Sequence, residues 1–239
     1  MTETLAEQPD PSRGSAGGPV CWSLVDGGVG VVTLSDPARR NALSPALSAS
    51  LAAAAGSALA AGARALVLAA EPPVFCAGGS LDELLAPTVP LEDTYAGLLA
   101  LDAAPVVTVA AVGGPAIGAG VNLPLACDVV VVTPDAVFDP RWLDVDIHPG
   151  GGHLYRLSQR VGPQRAAALV LCGESVEGAA AVEAGLAYCC VAPDALLDTA
   201  IALAQGAARR DPPLVARTKS TLRAAPPTLD EAIALELDA

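Results

Sequence analysis

Short continuous runs of apolar residues, several ended by glycine or other small residues, are the main pattern along this chain. Such runs are typical of strands buried on both faces of a parallel sheet. Two β-type runs joined at Gly27-Gly28 predict a hairpin. The predicted strands are Val20 to Asp26, Val29 to Ser35, Arg64 to Ala70, Val106 to Val112, Asp128 to Thr133 and Ala136 to Phe138.

Capping signals and helical spacing of apolar residues predict helices between these strands. Ser44-Pro45, an N-cap followed by proline, begins an Ala-rich helix that ends at Gly62. Capping-box patterns at Ser80 to Glu83 and at Thr228 to Glu231 begin two more. Further helices are predicted at Leu91 to Ala103, Gly152 to Val161, Gln164 to Cys172, Asp194 to Ala208 and Pro212 to Ala225, with another pair of elements around Ala179 to Gly185 and Leu186 to Val191. The alternation predicts an α/β fold of repeated ββα turns with a helical C-terminal part.

Composition divides the chain into three parts. Residues 1–18 are rich in Pro, Ser, Gly and acidic residues without periodicity, which predicts a disordered tail outside the fold. Residues 19–192 hold the predicted strands. Residues 193–239 are predicted as short helices with apolar stripes and little strand partnership, and such helices need something to pack against.

The stretch Pro105 to Asp128 organises the rest of the chain. An apolar strand is followed by a glycine-rich turn and then by helical spacing, which places Gly118 and Ala119 at a helix start. The first amides of a helix have no intrahelical partner, so an anion or a developing oxyanion is favoured there. Close packing of a strand against a helix also needs small residues, so this stretch alone leaves both explanations open. The same device occurs at Gly78 and Gly79, before the helix that begins at Ser80.

Charge and composition exclude several classes of partner. The 239 residues include 26 acidic and 13 basic side chains, and the net charge of −13 disfavours nucleic acid and anionic membranes as partners. No apolar run approaches the ~20 residues that a membrane span needs, and the first residues are acidic. We therefore expect a cytoplasmic protein. The six cysteines show no C-x-x-C spacing, which favours reduced thiols over disulfides or a metal site.

Four motifs carry a family resemblance. PARRNALS, FCAGGSLDEL, GGPAIGAGVNLPLACD and HPGGGHLYRLSQRVG follow one another in an order and spacing that resembles the crotonase superfamily, the enoyl-CoA hydratase and isomerase group, from Val20 to the C-terminus. The resemblance implies a ClpP/crotonase-like spiral of ββα turns and a C-terminal helical region for trimerisation, in a homotrimer or hexamer. It also implies an acyl-CoA thioester ligand, with no cofactor beyond the coenzyme A of the substrate. A family member would carry a last helix about where this sequence ends, which leaves open whether the C-terminus is complete.

The resemblance also implies roles for individual residues. The thioester oxygen would lie between the N–H groups of Gly79 and Ala119, and Arg39 and Arg40 would lie near the nucleotide end of coenzyme A. The other residues expected to contact the ligand are Ala42, Ala77, Gly78, Ser80, Leu81 and Gly118.

Two positions depart from the hydratase pattern. Asn122 and Trp142 stand where the family carries its two acid/base glutamates. An amide takes no proton at neutral pH and an indole only donates, so hydratase turnover is not expected from these two. A dehalogenase branch has a nucleophilic aspartate where this chain has Gly150, which excludes that activity. Three functions stay open: an enzyme that stabilises a thioester enolate, a non-catalytic binder of acyl-CoA or acyl-carrier protein, and a structural subunit.

A proton acceptor is then sought in the segment Asp139 to His153. We expect Asn122 to face the acyl pocket, because it lies one helical turn beyond Ala119, and we predict that His148 and Asp144 supply the base. Aspartates that cap turns and histidines that pack in a core give the same sequence pattern, so a purely structural role stays open for both.

Overall fold

Two β-sheets with helices on both faces of the larger one make up the fold. The computed structural model describes residues 13–15, 18–224 and 228–237. The strands are β1 (Arg13–Ser15), β2 (Val20–Val25), β3 (Val29–Leu34), β4 (Ala65–Ala70), β5 (Val107–Val112), β6 (Ala116–Ile117), β7 (Val129–Val132), β8 (Val137–Asp139), β9 (Val176–Glu177) and β10 (Cys189–Cys190). Within the described residues the larger sheet has seven strands in the order β1-β2-β3-β4-β5-β7-β10, and the smaller has three in the order β6-β8-β9.

The centre of the larger sheet is parallel. β3, β4, β5 and β7 run in the same direction, with Val31 opposite Val67 and Val67 opposite Val109. β2 pairs with β3 in antiparallel fashion through a turn at Gly27 and Gly28, both of which have positive φ. The predicted hairpin is therefore confirmed, and so are the predicted apolar strands.

The helices follow the predicted signals closely. The side chain of Ser44 accepts a hydrogen bond from Leu47 N at 3.1 Å, so it caps the first helix as expected. The two helices predicted between Gly152 and Cys172 are joined at a kink at Gly162. The helices are α1 (Pro45–Ala60), α2 (Leu81–Leu85), α3 (Ala96–Asp102), α4 (Asn122–Ala126), α5 (His153–Leu171), α6 (Gly178–Glu183), α7 (Leu196–Ala208), α8 (Pro212–Ala224) and α9 (Leu229–Leu237).

The two faces of the larger sheet are both buried. One face packs on α1, α3 and α4, and the opposite face is covered by α7 through Ala200, Ala204 and Ala208. The prediction that residues from 193 onward have little strand partnership is wrong for α7, because its alanines are small enough to let the helix lie directly on β3 to β5. The helical spacing of these alanines was visible in the sequence, but the surface they contact was not.

The prediction that residues 1–18 are disordered is also wrong in part. Arg13–Ser15 pairs antiparallel with β2, with Gly14 opposite Trp22, and so extends the edge of the larger sheet. Residues 1–12 and 16–17 lie outside the described residues. Pairing with an exposed strand edge satisfies backbone groups without any apolar pattern, which explains why no sequence signal marks this strand.

Membrane insertion has no support from the helices. Within the described parts of the chain they fall short of the length and apolar character needed to cross a bilayer. The cytoplasmic location expected from the sequence stays a prediction.

A buried ion pair ties α8 to the sheet. Lys219 Nζ lies 2.8 Å from Asp128 Oδ2 and donates to Val106 O at 2.7 Å, and the lysine is only 9% exposed. Arg223 Nη2 reaches the second carboxylate oxygen of Asp128 at 2.6 Å. Burial acts to raise the pKa of Asp128, but the contacts with Lys219, Thr108 and Arg223 outweigh it and hold that pKa below its usual value.

We predict that Asp128→Asn destabilises the protein by about 3 kcal/mol, because it leaves the buried ammonium of Lys219 without its counter-charge. Urea denaturation followed by circular dichroism measures the free energy of unfolding. The matched control is Asp135→Asn, an exposed aspartate, for which a change within about 0.5 kcal/mol is expected. Equal effects of the two substitutions would contradict the prediction.

Candidate active site

A cavity of about 740 Å³ lies where the two glycine turns meet the segment that follows β8. β6 and β8 pair in parallel, with Ala116 opposite Phe138, so the smaller sheet brings the second glycine turn beside that segment. Much of the wall is apolar, and Val74, Leu91 and Leu98 contribute to it. An apolar wall excludes water and strengthens any electrostatic contact made inside.

The first glycine turn is held by a parallel backbone bridge to Leu43. Leu43 N donates to Gly78 O at 2.7 Å, and Ser80 N donates to Leu43 O at 3.0 Å. In a parallel bridge the residue opposite leaves its own N–H on the other side of the chain. The N–H of Gly79 therefore points away from Leu43.

The second glycine turn passes close to the first. A Cβ added to Gly78, whose φ is +96°, would lie 2.7 Å from Ile117 O and 3.6 Å from Ala119 N. Ile117 N donates to Cys76 O at 2.9 Å, which fixes the two turns against each other. Only glycine fits at position 78, and the amide of Ala119 lies beside the first turn.

Both turns leave an amide without a backbone partner. Ala119 is the second residue of a 3-10 helix, Gly118–Val121, so its N–H precedes the first i to i+3 hydrogen bond. Among the described residues no hydrogen bond from Gly79 N is found. Both residues line the cavity. Two free amides on adjacent turns can hold one oxygen that carries negative charge.

Asn122 lies at the inner wall of the cavity and is 2% exposed. Its Nδ2 donates to Gly150 O at 3.1 Å, and its Oδ1 lies 2.8 Å from His153 Nδ1. The amide therefore links α4 to the turn before α5. The prediction that it faces the acyl pocket agrees with its place in the lining, but both ends of the amide are already engaged.

His153 and Trp142 pack together behind this wall. Their rings meet edge to face with centroids 5.6 Å apart. His153 is 1% exposed, and burial lowers its pKa from the usual 6.5 to about 4, so the ring is neutral near pH 7. Within the described residues, neither His153 Nε2 nor Trp142 Nε1 has a hydrogen-bond partner.

Comparison with known proteins identifies the family. The model of the family described as enoyl-CoA hydratase/isomerase matches residues 25–239. The chain belongs to this family. A probable enoyl-CoA hydratase of Mycobacterium tuberculosis is 39% identical over 214 residues, which cover 86% of this chain and 83% of the relative. The 2,3-dehydroadipyl-CoA hydratase of Escherichia coli K12 is 37% identical over 203 residues, 81% of this chain and 77% of the relative.

Solved structures confirm the predicted crotonase fold. A putative enoyl-CoA hydratase from Thermobifida fusca in complex with acetoacetyl-CoA superposes with a TM-score of 0.83 at 29% identity, covering 93% of each chain. The enoyl-CoA hydratase of Mycobacterium smegmatis superposes with a TM-score of 0.82 at 32% identity, covering 91% of this chain and 88% of the other. The resemblance inferred from the four motifs is thus confirmed as membership of the crotonase superfamily.

Most residues that the resemblance suggested as ligand contacts lie in the cavity wall. Arg40 contributes to the wall in a left-handed conformation, whereas Arg39 is exposed and pairs with Asp36 at 3.3 Å. Ala42 is half-buried, and it does not belong to the described lining. Leu81 is the first residue of α2. The lining residues that were expected are Ala77, Gly78, Gly79, Ser80, Gly118 and Ala119.

The two residues expected to accept a proton lie in different surroundings in the structure. His148 lines the cavity, and its Nδ1 donates to Pro149 O at 2.8 Å. Asp144 is exposed, and the described lining of the cavity does not include it. A short 3-10 helix, Leu143–Val145, turns the Asp144 side of the segment outward. The structure therefore does not place Asp144 with His148 in the described cavity wall, and the prediction that it supplies the base stays a prediction.

Sequence reasoning missed Glu83 as a residue of the site. It was assigned to a capping box, but the N-cap Ser80 makes no side-chain cap bond, and Glu83 accepts hydrogen bonds from Thr88 N at 3.0 Å and Thr88 Oγ1 at 2.8 Å. Glu83 lines the cavity, as do Tyr95 and Arg141. Its position four residues after Gly79, about one helical turn, was the available signal.

The buried histidine predicts a pH dependence of stability. Unfolded His153 binds a proton below about pH 6.5, whereas the folded side chain does so only near pH 4, so the unfolded state binds more protons between these values. Stability should therefore fall as the pH is lowered through this window, by up to about 3 kcal/mol. Urea denaturation at several pH values between about 7 and 4.5 measures this change in the free energy of unfolding.

The control for this prediction is His153→Gln, which has no titrating group at that position. The free energy of unfolding of this variant should vary less with pH over the same window than that of the original protein. The same pH dependence in both proteins would show that other groups are responsible.

Proposed function

We propose that this protein binds an acyl-CoA thioester and stabilises its enolate between the backbone N–H groups of Gly79 and Ala119. The observation that carries the proposal is that both residues line one cavity on adjacent turns and that neither amide has a backbone partner within the part of the chain that the structure describes. The complex of the Thermobifida fusca relative with acetoacetyl-CoA supports the choice of a CoA thioester.

The physical advantage of this arrangement is electrostatic. Removing a proton from the α carbon of a thioester, or adding a nucleophile at the β carbon, concentrates charge on the thioester oxygen. Each preorganised donor contributes on the order of 3 kcal/mol to stabilising that charge. The donors are backbone amides in a rigid contact, so they need no reorganisation when the charge develops.

The anionic end of coenzyme A must be held locally, because the protein carries a net charge of −13. Arg40 lies in the cavity wall, and the exposed Arg39 is next to it in sequence. We propose that this pair contacts the nucleotide part of the ligand, since guanidinium groups bind phosphate well. The reaction would use no cofactor beyond the coenzyme A of its substrate.

Two side chains of the cavity wall can accept a proton. His148 donates from Nδ1 to Pro149 O, which leaves Nε2 with a free lone pair. Glu83 is held in place by two hydrogen bonds from Thr88. We propose that one of these groups moves the proton that Asn122 and Trp142 cannot move.

A non-catalytic binder of acyl-CoA or of an acyl-carrier protein is the alternative. It is favoured by the chemistry of Asn122, whose amide takes no proton at neutral pH and is held in place by hydrogen bonds with Gly150 and His153. In this alternative the two glycine turns bind the thioester oxygen in its ground state, and no bond of the acyl group changes.

We predict that Gly79→Pro lowers kcat with crotonyl-CoA or a longer enoyl-CoA by a factor on the order of 10² to 10³, because proline has no N–H to donate to the enolate oxygen. Loss of the conjugated thioester absorbance measures turnover. The matched control is Gly79→Ala, which keeps the N–H and should retain most of the activity.

The same assay separates the enzyme from the binder. If the protein turns over the enoyl-CoA and either His148→Gln or Glu83→Gln abolishes that turnover, the result supports the enzyme and identifies its base. Calorimetric binding of the enoyl-CoA without turnover supports the binder, and Gly79→Pro should then weaken affinity alone. No binding of any acyl-CoA would overturn both functions.

We also propose that the protein assembles as a homotrimer or hexamer. The apolar side chains of α8 and α9 are exposed, with Leu222 at 80% and Leu237 at 81%. Short helices with exposed leucines are only marginally stable unless another surface covers those leucines. We predict sedimentation as a trimer or hexamer at micromolar concentration, and a monomer under these conditions would contradict the proposal.

A further inference from the structure

Two buried nitrogen atoms at the cavity wall lack hydrogen-bond partners among the described residues, and one is a donor whereas the other can accept. Trp142 Nε1 carries a hydrogen and can only donate. The second unpaired atom is His153 Nε2. Among the described residues, neither Trp142 Nε1 nor His153 Nε2 has a hydrogen-bond partner. Leaving a buried polar atom unpaired is energetically unfavourable. Two such atoms on rings in contact therefore suggest a ligand group.

The tautomer of His153 follows from its neighbours. Asn122 Nδ2 donates to Gly150 O, so the atom of Asn122 that faces His153 is the oxygen. An amide oxygen only accepts, and His153 Nδ1 must therefore carry the hydrogen. In the neutral ring this leaves Nε2 as an acceptor with a lone pair.

We propose that Trp142 Nε1 and His153 Nε2 together bind a single O–H group at the wall of the acyl cavity, either a water molecule or the 3-hydroxyl of an acyl thioester. The O–H accepts a hydrogen bond from Trp142 and donates one to His153. A carbonyl or ether oxygen satisfies only the tryptophan, and an ammonium only the histidine. A hydroxyl is the smallest group that satisfies both.

The location connects this site to the acyl cavity. Trp142 lines the cavity and is half-buried, and Asn122, which holds His153, lines it too. The two rings are in edge-to-face contact with centroids 5.6 Å apart, so the unpaired nitrogens belong to neighbouring side chains at this wall.

The site would position the hydroxyl without taking its proton. Burial keeps the pKa of His153 near 4, so the ring is a weak base and a good acceptor. The pair thus occupies the region where the family carries carboxylates but performs recognition. The choice of an acyl thioester as ligand rests on the proposed function, whereas the O–H site itself rests on the two unpaired atoms.

Calorimetry with two matched ligands tests the inference. Both enantiomers of 3-hydroxybutanoyl-CoA are compared with butanoyl-CoA, which differs only by the hydroxyl. If the hydroxyl of the ligand fills the site, one enantiomer should bind about tenfold more tightly than butanoyl-CoA. Trp142→Phe and His153→Phe should each abolish this preference.

Two further variants and one NMR measurement serve as controls for this result. Trp22→Phe replaces the second tryptophan, which lies on β2 outside the cavity wall, and should leave the preference unchanged. His153→Gln keeps an acceptor and should restore part of the preference that His153→Phe loses. In the 15N-labelled free protein, a cross-relaxation signal between water and the Trp142 indole hydrogen, absent in His153→Phe, would identify a bound water.

Each outcome decides the inference. A hydroxyl preference that both phenylalanine variants remove assigns the site to the acyl hydroxyl. Equal affinities together with the water signal assign it to water. Equal affinities without that signal overturn the site. If no acyl-CoA binds, the proposed function fails, but the water signal still decides whether the two nitrogens hold an O–H group.

Discussion

The close contact between two stretches of backbone, residues 73–79 and 114–120, is the constraint on which the rest of the site depends. A Cβ on Gly78 would lie 2.7 Å from Ile117 O, and a Cβ on Gly120 would collide with Cys76 O. With glycine at both positions, Cys76 and Ile117 form a backbone hydrogen bond and the strands β4 and β5 deliver their following turns to one point. The free amides of Gly79 and Ala119 are a consequence of this contact.

The same contact shapes the chemistry that the site can perform. A rigid pair of amides provides a fixed environment for negative charge, and it does not depend on which side chains surround it. The resemblance places the acid/base groups of the family on side chains outside the two turns, at the positions of Asn122 and Trp142. Both residues line the cavity, so under the proposed function a difference at these positions alters the opposite wall and leaves the two glycine turns unchanged.

The opposite wall of the cavity contains a connected cluster of polar side chains. Asn122 bonds to Gly150 and to His153, and His153 packs edge to face against Trp142. A buried cluster of this kind is most stable when its donors and acceptors are paired, and here two nitrogens have no partner among the residues that the structure describes. The unpaired atoms mark the place where a ligand would complete the wall.

The sequence by itself determined most of the secondary structure, the family and the two glycine turns. Apolar runs, the Ser44-Pro45 cap and the spacing of glycines are local signals, because they reflect backbone preferences and burial that act over a few residues. Four motifs in register were also enough for the crotonase fold, which the solved structures confirm. In the same way, the position of Asn122 one turn beyond Ala119 followed from helix geometry alone.

Only the tertiary structure decided which side chains meet in space. Asp144 and His148 lie four residues apart with similar sequence signals, yet a single 3-10 turn leaves Asp144 exposed and His148 in the cavity wall. Glu83 and the pair of His153 with Trp142 were found only because distant segments pack together. The sheet partners of α7 and of Arg13–Ser15 were likewise invisible in the sequence. The physical reason is that a local pattern specifies whether a residue is buried, whereas the partner it is buried against depends on long-range packing.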